Sequence, residues 1–393
     1  MHGGFKLPEK IIRVLIVDDS AFMRRAISSL LEDENDIKVV GQAKDGEDAI
    51  KQIEDLRPDV VTMDIEMPKM DGLAALKIIM KKNPLPVIMV SSLTEEGAKA
   101  TLDALDYGAV DYIPKNLSNV SLNILKVKDD LISKIRAVTA NKTIYRIKPS
   151  FEKNDNILSQ SDSNKTKHTD IIAKKLFSSN LNNNKNNSNI HLEDSLFSNN
   201  NGKNKGIVAI GSSTGGPKAL QEVIPLLPAD FPFPILIVQH MPKAFTGPFA
   251  QRLSSISHIK VIEAEGGEII QPGVAYLAPG DKHMIIKRDG KDGVKIFISE
   301  EPKDLINRPS VTVMMKSVAD EYREKSIAVM LTGMGSDGLE GMSDIKKYGG
   351  STIAQDEATC VVYGMPKAVI DAGIVDKVLP VYKIAEEIIR ESK

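Results

Sequence analysis

The sequence predicts two doubly wound, mostly parallel α/β domains joined by a disordered linker, and three observations carry that prediction. Apolar runs of β type alternate with helical runs twice along the chain, acidic or hydroxyl residues recur where the β-type runs end, and about 65 residues dominated by Asn, Ser and Lys separate the two alternating stretches. Alternation at this spacing means βαβ units, whose parallel sheets are covered by helices on both faces. A chain of 393 residues has room for roughly two to three domains with a sizeable core in each.

The first alternating stretch, residues 8–130, runs in order through RVLIVDD, AFMRRAISSLLED, IKVVGQA, DGEDAIKQIEDL, DVVTMDI, LAALKIIMKK, PVIMVSS, EEGAKATLDALDYG and DYIPK. The segment 141–205, with SSNLNNNKNNSN and SNNNGKNK inside it, is too poor in apolar residues to order itself and reads as a linker. Two small apolar clusters in it, IIAKKLF and IHLEDSLF, are the places where short docking helices would form. Residues 206–393 alternate again through GIVAIGS, GPKALQEVIPLL, PILIVQH and AFTGPFAQRLSSI. A Gly-rich β-type stretch follows through AYLAPG and VKIFISE, then a helix near Val311 to Glu324, the strand IAVMLTG and further helical segments.

Charge and composition exclude several classes. Lys+Arg 51 against Asp+Glu 53 gives a net charge of -2, so no global field gathers nucleic acid or anionic lipid. The single cysteine, Cys360, cannot form an internal disulfide and reads as buried filler, as expected of a cytoplasmic protein. The first apolar run ends in two aspartates, unlike a signal peptide, and PVIMV and PILIV fall far short of the roughly 20 residues that span a bilayer. A soluble protein without membrane insertion is expected.

In a doubly wound sheet the carboxyl ends of the strands face the ligand crevice. Asp18 and Asp19 close the first strand, Asp64 the third and Ser91 the fourth, while Lys115 follows the fifth. Three carboxylates at one edge repel each other unless a cation neutralises them, and an all-oxygen set suits a hard ion such as Mg²⁺. With the ion bound, a carboxylate attacks a phosphoryl group; Asp64, alone at its strand end, is the best nucleophile, with Lys115 stabilising the phosphoryl oxygens.

The runs VLIVDDS, MDIEMPKMDG, VSSLT and DYIPK resemble the receiver domain of two-component response regulators. The resemblance implies a flavodoxin-like fold with Asp64 as phosphoacceptor. Asp18, Asp19 and the Glu66 backbone carbonyl join Asp64 as metal ligands, and Ser91 and Tyr112 form a switch pair that reorients on phosphorylation. Where the family usually has Lys-Pro, this chain has Pro114-Lys115-Asn116, a departure that bears on the loop and not on the lysine.

In the second domain, Gly211-Ser212-Ser213-Thr214-Gly215-Gly216 follows the first strand and contains G-x-S-x-G centred on Ser213. Glycines flanking a serine relieve crowding in a sharp strand-to-helix turn, and the N–H groups that follow, with Thr214 first, are oxyanion candidates. A dinucleotide fingerprint fails because Ser213 stands where glycine is needed, and a P-loop fails for want of G-K-[ST]. A serine hydroxyl needs a base to take its proton. Of six histidines, His2 is terminal, His168 and His191 lie in the linker, and His258 follows a Ser-rich turn, whereas His240 ends the strand PILIVQH. His283, in APGDKHM, is the second candidate for the base and reads rather as a surface or substrate-contacting residue. The orienting acid is Asp337 at the end of IAVMLTG, where its rival role is to cap a helix starting near Gly338; beside it Met334 is the second oxyanion candidate.

The chain order Ser, His, Asp differs from the order in α/β-hydrolases. Instead IGSSTGGP, VQHMP, LTGMGSDG and AQDEATCVVYGMP resemble the catalytic domain of the chemotaxis methylesterases, through essentially the whole second domain. The resemblance implies removal of methyl groups from glutamate γ-methyl esters on methylated chemoreceptor cytoplasmic domains, commonly with deamidation of receptor glutamines, in chemotaxis adaptation. A chemotaxis histidine kinase is the implied phosphoryl donor. The hydrolysis itself calls for no cofactor. Two alternatives stand beside this reading: an esterase for small soluble esters under receiver control, and a non-enzymatic response regulator, the latter disfavoured by the neutral charge and the lack of a helix-turn-helix.

Overall fold

The computed structural model describes residues 11–115, 121–140, 206–290 and 293–393. The Asn/Ser/Lys-rich segment 141–205, its two apolar clusters, Asn116, His2, His168 and His191 lie outside the described residues.

The first sheet contains β1 (Ile12–Val17), β2 (Ile37–Ala43), β3 (Val60–Asp64), β4 (Val87–Ser91) and β5 (Asp111–Pro114). The strands lie in the order β2-β1-β3-β4-β5, with every pair parallel. Helices α1 (Ala21–Leu31), α2 (Gly46–Leu56), α3 (Gly72–Lys82), α4 (Glu95–Asp106) and α5 (Ser121–Ala140) connect and cover it. Side chains alternate between the faces of a strand. Val14 and Ile16 therefore share a core with Ile27 and Leu31 of α1 and Ile135 of α5, while Leu15 and Val17 share one with Ile53 of α2 and Leu76 of α3. Ser20, Asp45, Asp71 and Thr94 cap α1 to α4 through side chains that accept backbone N–H groups. The strand order reverses between β1 and β3, so the crevice opens beyond their carboxyl ends.

The second half contributes β6 (Ile207–Ser212), β7 (Ile235–Gln239), β8 (Lys260–Glu263), β9 (Val274–Leu277), β10 (His283–Arg288), β11 (Val294–Ser299), β12 (Ser326–Met330), β13 (Ser351–Gln355) and β14 (Lys377–Leu379). Seven of these form a wholly parallel sheet in the order β14-β13-β12-β6-β7-β9-β8. The Gly-rich stretch resolves into the parallel strand β9 and a separate antiparallel hairpin of β10 and β11. Its helices are α6 (Gly216–Val223), α7 (Lys243–Ile256), α8 (Val311–Tyr322), α9 (Leu339–Lys347), α10 (Met365–Asp371) and α11 (Val381–Glu391). Alternation again splits the core: Ala209 and Val238 face Met314 and Val318 of α8, while Ile210 and Ile237 pack with Leu220 of α6 and Phe249 of α7.

The chain leaves β6 toward β7 on one side and returns on the other through β12, so the second sheet reverses at the β6/β12 pair. That puts the turn after β6 and the loop after β12 at one crevice. Both sheets belong to one compact unit. Among the described residues no helix is long and apolar enough to cross a membrane.

Candidate active site

At the crevice of the first sheet, ligand atoms of Asp18, Asp19 and Asp64 lie within 4.8 Å of one another. Asp18 and Asp64 are buried and Asp19 is exposed. The Lys115 ammonium reaches to 2.6 Å from Asp64 Oδ2 and 3.6 Å from Asp18 Oδ2. The Pro114-Lys115-Asn116 departure therefore does not displace the lysine, whose backbone N–H donates to Ser91 O at 2.7 Å. Burial pushes the Asp64 carboxyl up to about 6 against the pull of Lys115, and burial likewise raises Asp18. Among the described residues, Asp18 Oδ2 and Asp64 Oδ2 meet no donor other than the Lys115 ammonium. Two buried carboxylate oxygens that share a single ammonium, beside a third acid, fit a hard divalent cation. The Glu66 N–H donates to Asp64 Oδ1 at 3.3 Å, which sets the backbone of Glu66 beside the acids. Ser91 ends β4, and its hydroxyl meets Thr101 Oγ1 at 2.7 Å.

At the crevice of the second sheet, Ser213, Thr214, His240, Met241 and Met334 line one cleft of about 290 Å³. The two serines separate cleanly. Ser212 is fully buried and donates to Gln239 Oε1 at 2.7 Å, whereas Ser213 is half-buried and its side chain borders the cleft. The flanking glycines have distinct causes. A Cβ on Gly211 would stand 2.3 Å from Val311 Cγ1, and Gly215 takes φ 76° with Val361 Cβ 2.5 Å from the site of its absent side chain. The positive φ falls on Gly215 and not on Ser213, so the serine turn is unlike a strained nucleophile elbow. The Ser213 N–H is itself taken, donating to Thr332 O at 3.0 Å.

His240 Nε2 lies 2.8 Å from Asp337 Oδ2. Asp337 also accepts from Val311 N at 2.7 Å, Thr312 N at 3.0 Å and Ser310 Oγ at 2.9 Å. The expected cap is thereby relocated: Asp337 caps α8, and the N-cap of α9 is Gly338, at φ 97°, without any side-chain bond. The loop after β12 turns back toward the N-terminus of α8, which brings the carboxylate to N–H groups 25 and 26 residues away in sequence. Burial alone raises the Asp337 carboxyl, but His240 and the two helix N–H groups outweigh it and hold it well below the ordinary carboxylate range.

Comparison with known proteins decides the family. The chain matches the family described as CheB methylesterase over residues 208–388 and that of the response regulator receiver domain over residues 14–125. A relative from Nitratidesulfovibrio vulgaris, named protein-glutamate methylesterase/protein-glutamine glutaminase 2, is 45% identical over 378 residues, 96% of this chain and 98% of the relative. One from Thermotoga maritima, named protein-glutamate methylesterase/protein-glutamine glutaminase, is 45% identical over 386 residues, 98% of this chain and 99% of the relative. This chain belongs to the CheB methylesterase family. Among solved structures, the CheB methylesterase catalytic domain of Thermotoga maritima is 50% identical, with a TM-score of 0.46, and covers 47% of this chain and 97% of its own.

In this CheB chain the receiver borders the serine cleft. Asp111, Tyr112, Asp130 and Lys134 line it together with Ser213 and His240. The Tyr112 ring stacks on Phe245 of α7, centroids 4.5 Å apart and planes 22° apart. Arg252 of α7 pairs with Asp103 at 2.8 Å and with Asp106, both on α4. Lys134 lies 3.4 Å from Asp111 and 3.1 Å from Asp130.

Two residues at the site, Gln239 and Ser310, escaped the sequence reading, and a third, His283, was misplaced by it. Gln239 Nε2 donates to both Ser213 O (3.0 Å) and His240 O (3.1 Å), tying the two strand ends together. Its signal was its place between a buried strand and His240. Ser310 precedes α8 as its N-cap, a pattern visible in Pro309-Ser310 once the helix is placed. His283 is fully buried, contrary to the surface role expected of it, because it opens β10 beneath α8. Cys360 is buried as expected, and burial pushes its thiol up.

Proposed function

We propose that this chain is a phosphorylation-controlled protein-glutamate methylesterase and protein-glutamine glutaminase of chemotaxis adaptation. Residues 8–130 form its receiver, 141–205 its linker and 206–393 its catalytic domain. The observation that carries the reading is the 2.8 Å His240–Asp337 contact at a cleft shared with Ser213, in a chain of this family.

With Nε2–H donated to Asp337, the other imidazole nitrogen, Nδ1, is left to accept the Ser213 proton as the hydroxyl attacks the γ-carbonyl. Asp337 holds the ring in this tautomer and balances its charge once protonated. The N–H groups of Thr214 and Met334, two residues that line the cleft, stabilise the oxyanion. The Nδ1 proton then passes to the departing methoxide, giving methanol and an acyl-serine. Water attacks the acyl carbon, Nδ1 takes its proton, and a glutamate carboxylate leaves as Ser213 recovers its own. The same sequence on a glutamine side chain releases ammonia.

In the receiver, Asp64 accepts the phosphoryl group, and Asp18, Asp19 and the Glu66 carbonyl are the residues that would hold Mg²⁺ with it. The bound ion would neutralise the clustered carboxylates and the incoming phosphoryl oxygens. Lys115 stabilises those oxygens from the other side. Ser91 and Tyr112 carry the change outward, since Tyr112 leans on Phe245 of the helix that follows His240. Partners are methylated chemoreceptor cytoplasmic domains and a chemotaxis histidine kinase, and the site of action is the cytoplasm. Methanol release from methylated receptor cytoplasmic fragments, set against hydrolysis of p-nitrophenyl esters, tests the reading. Turnover of the receptor ester is expected; turnover of small esters alone would refute it.

A further inference from the structure

We propose that His283 is a positioning residue for the reaction: its ring holds the N-terminus of α8, and through Ser310 it fixes the carboxylate of Asp337 that orients His240. The proposal rests on the reading of Ser213, His240 and Asp337 as the hydrolytic triad.

His283 is wholly buried, and both its ring nitrogens are engaged. Nδ1 accepts the Ser310 N–H at 3.2 Å, so it carries no proton, and Nε2 lies 3.1 Å from Pro302 O, which only a donor can satisfy. The ring is therefore the neutral Nε2–H tautomer. A histidine serving only to fill space would not need both nitrogens placed.

The bond to Ser310 matters because Ser310 has further duties. Its hydroxyl donates to Asp337 Oδ1 at 2.9 Å and accepts the Val313 N–H at 3.3 Å as the cap of α8. The hydroxyl hydrogen goes to the carboxylate and the lone pairs to the helix, so the direction of Ser310 sets where Asp337 Oδ1 rests. Asp337 Oδ2 then points at His240 Nε2 at 2.8 Å. A second tie, from Ile286 N to Ser317 Oγ at 3.1 Å, fastens β10 to the following turns of α8. The line from His283 through Ser310 and Asp337 to His240 is thus continuous in hydrogen bonds.

The charges facing the ring are Asp337 and Arg308, with the Pro302 carbonyl beside them. Burial lowers the affinity of His283 for a proton, which preserves the acceptor at Nδ1. A proton there would set two N–H groups against each other and release Ser310.

The test compares the full-length protein with His283→Leu, His283→Asn, Ser310→Ala and Ser213→Ala. Asn places an oxygen near Nδ1 and can still accept the Ser310 N–H; Leu cannot. The readouts are kcat and KM for methanol release from a methylated receptor fragment, the low-field proton resonance of the His240–Asp337 bond, and thermal melting. His283→Leu should lose about 100-fold in kcat, the cost of a misplaced catalytic group, with KM changed less than about twofold and the low-field resonance lost. His283→Asn should recover to within about tenfold of wild type and regain the resonance. Where the Leu variant does not fold, Ser310→Ala should show the same kcat loss. A folded His283→Leu protein with wild-type kcat and resonance overturns the proposal. So does equal impairment of folded Leu and Asn variants, or an unimpaired Ser310→Ala. An active Ser213→Ala would instead refute the triad reading beneath it.

Discussion

Replacing Asp337 by Asn should separate its two duties and cost both. The carboxylate accepts four hydrogen bonds: Oδ2 from His240 and Val311 N, and Oδ1 from Ser310 Oγ and Thr312 N. An amide offers one accepting oxygen, so in either orientation its NH₂ faces two former donors and leaves one helix N–H unpaired. Loss of a cap costs about 0.5–2 kcal/mol, and an unpaired buried donor about 1–3 kcal/mol, so a combined destabilisation of about 1.5–5 kcal/mol is expected. When the NH₂ faces His240, Nε2 must accept and Nδ1 carries the proton, which is the wrong tautomer to receive one from Ser213. In the other orientation the ring is held correctly but lacks its counter-charge. Together these predict a kcat lower by about 10²- to 10⁴-fold. Because Asp337 is held below the ordinary carboxylate range, its stabilisation is complete above its unfolded value of about 4 and lost as pH falls through its folded one. The stability gap between wild type and Asp337→Asn should therefore be constant from about pH 5 to 8 and close in stronger acid. Urea denaturation and methanol-release kinetics measure the two effects. A folded Asp337→Asn protein with wild-type kcat would refute the assignment.

Further expectations follow from other parts of the structure. A Cβ at Gly333 would stand 2.4 Å from Met365 Sδ and 2.8 Å from Ser213 Cβ, so Gly333→Ala should displace the serine and lower kcat by about 100-fold in steady-state assays. Burial holds the Asp64 pKa up, at about 6, so without Mg²⁺ its protonated form favours the fold; that contribution fades as pH rises through about 6. Phosphoryl uptake from a small donor at low Mg²⁺ should rise over the same window, and a flat profile would contradict it. The Arg252 pairs with Asp103 and Asp106 join α7 to α4. Arg252→Ala, like deletion of residues 1–140, should raise basal methylesterase activity. Beryllofluoride with Mg²⁺ should activate the intact protein but neither Asp64→Asn nor the truncated domain. Equal basal rates and no response to beryllofluoride would show that this receiver does not gate the cleft.

Much of this was legible because parallel sheets leave a strong sequence signature: strands buried on both faces read as apolar runs, and their carboxyl ends collect the chemistry. That rule brought Asp18, Asp64 and Lys115 to one crevice with Ser91 at the end of β4, and with the G-x-S-x-G spacing and the choice among six histidines it brought Ser213 and His240 to another. What escaped depends on contacts between distant segments. That Asp337 caps α8 and not α9 cannot be read from its neighbours, because the capped N–H groups belong to Val311 and Thr312. His283 read as a surface residue because APGDKHM looks like a loop; only the packing of β10 under α8 buries it. The positive φ falling on Gly215 rather than Ser213 is likewise a matter of how β6 meets α6, to which the spacing of G-x-S-x-G is blind.

The central claim is that Ser213 is the nucleophile, and its neighbour supplies the control. Both serines sit in the same turn, but Ser212 spends its hydroxyl on Gln239 in the core while Ser213 borders the cleft. Methanol release from methylated receptor fragments by Ser213→Ala and Ser212→Ala, measured side by side, tests it most directly. Ser213→Ala should lose on the order of 10⁶ in kcat, and Ser212→Ala should keep activity within about tenfold of wild type while losing about 1–3 kcal/mol of stability through the unpaired Gln239 oxygen. A dead Ser212→Ala beside an active Ser213→Ala would contradict the account.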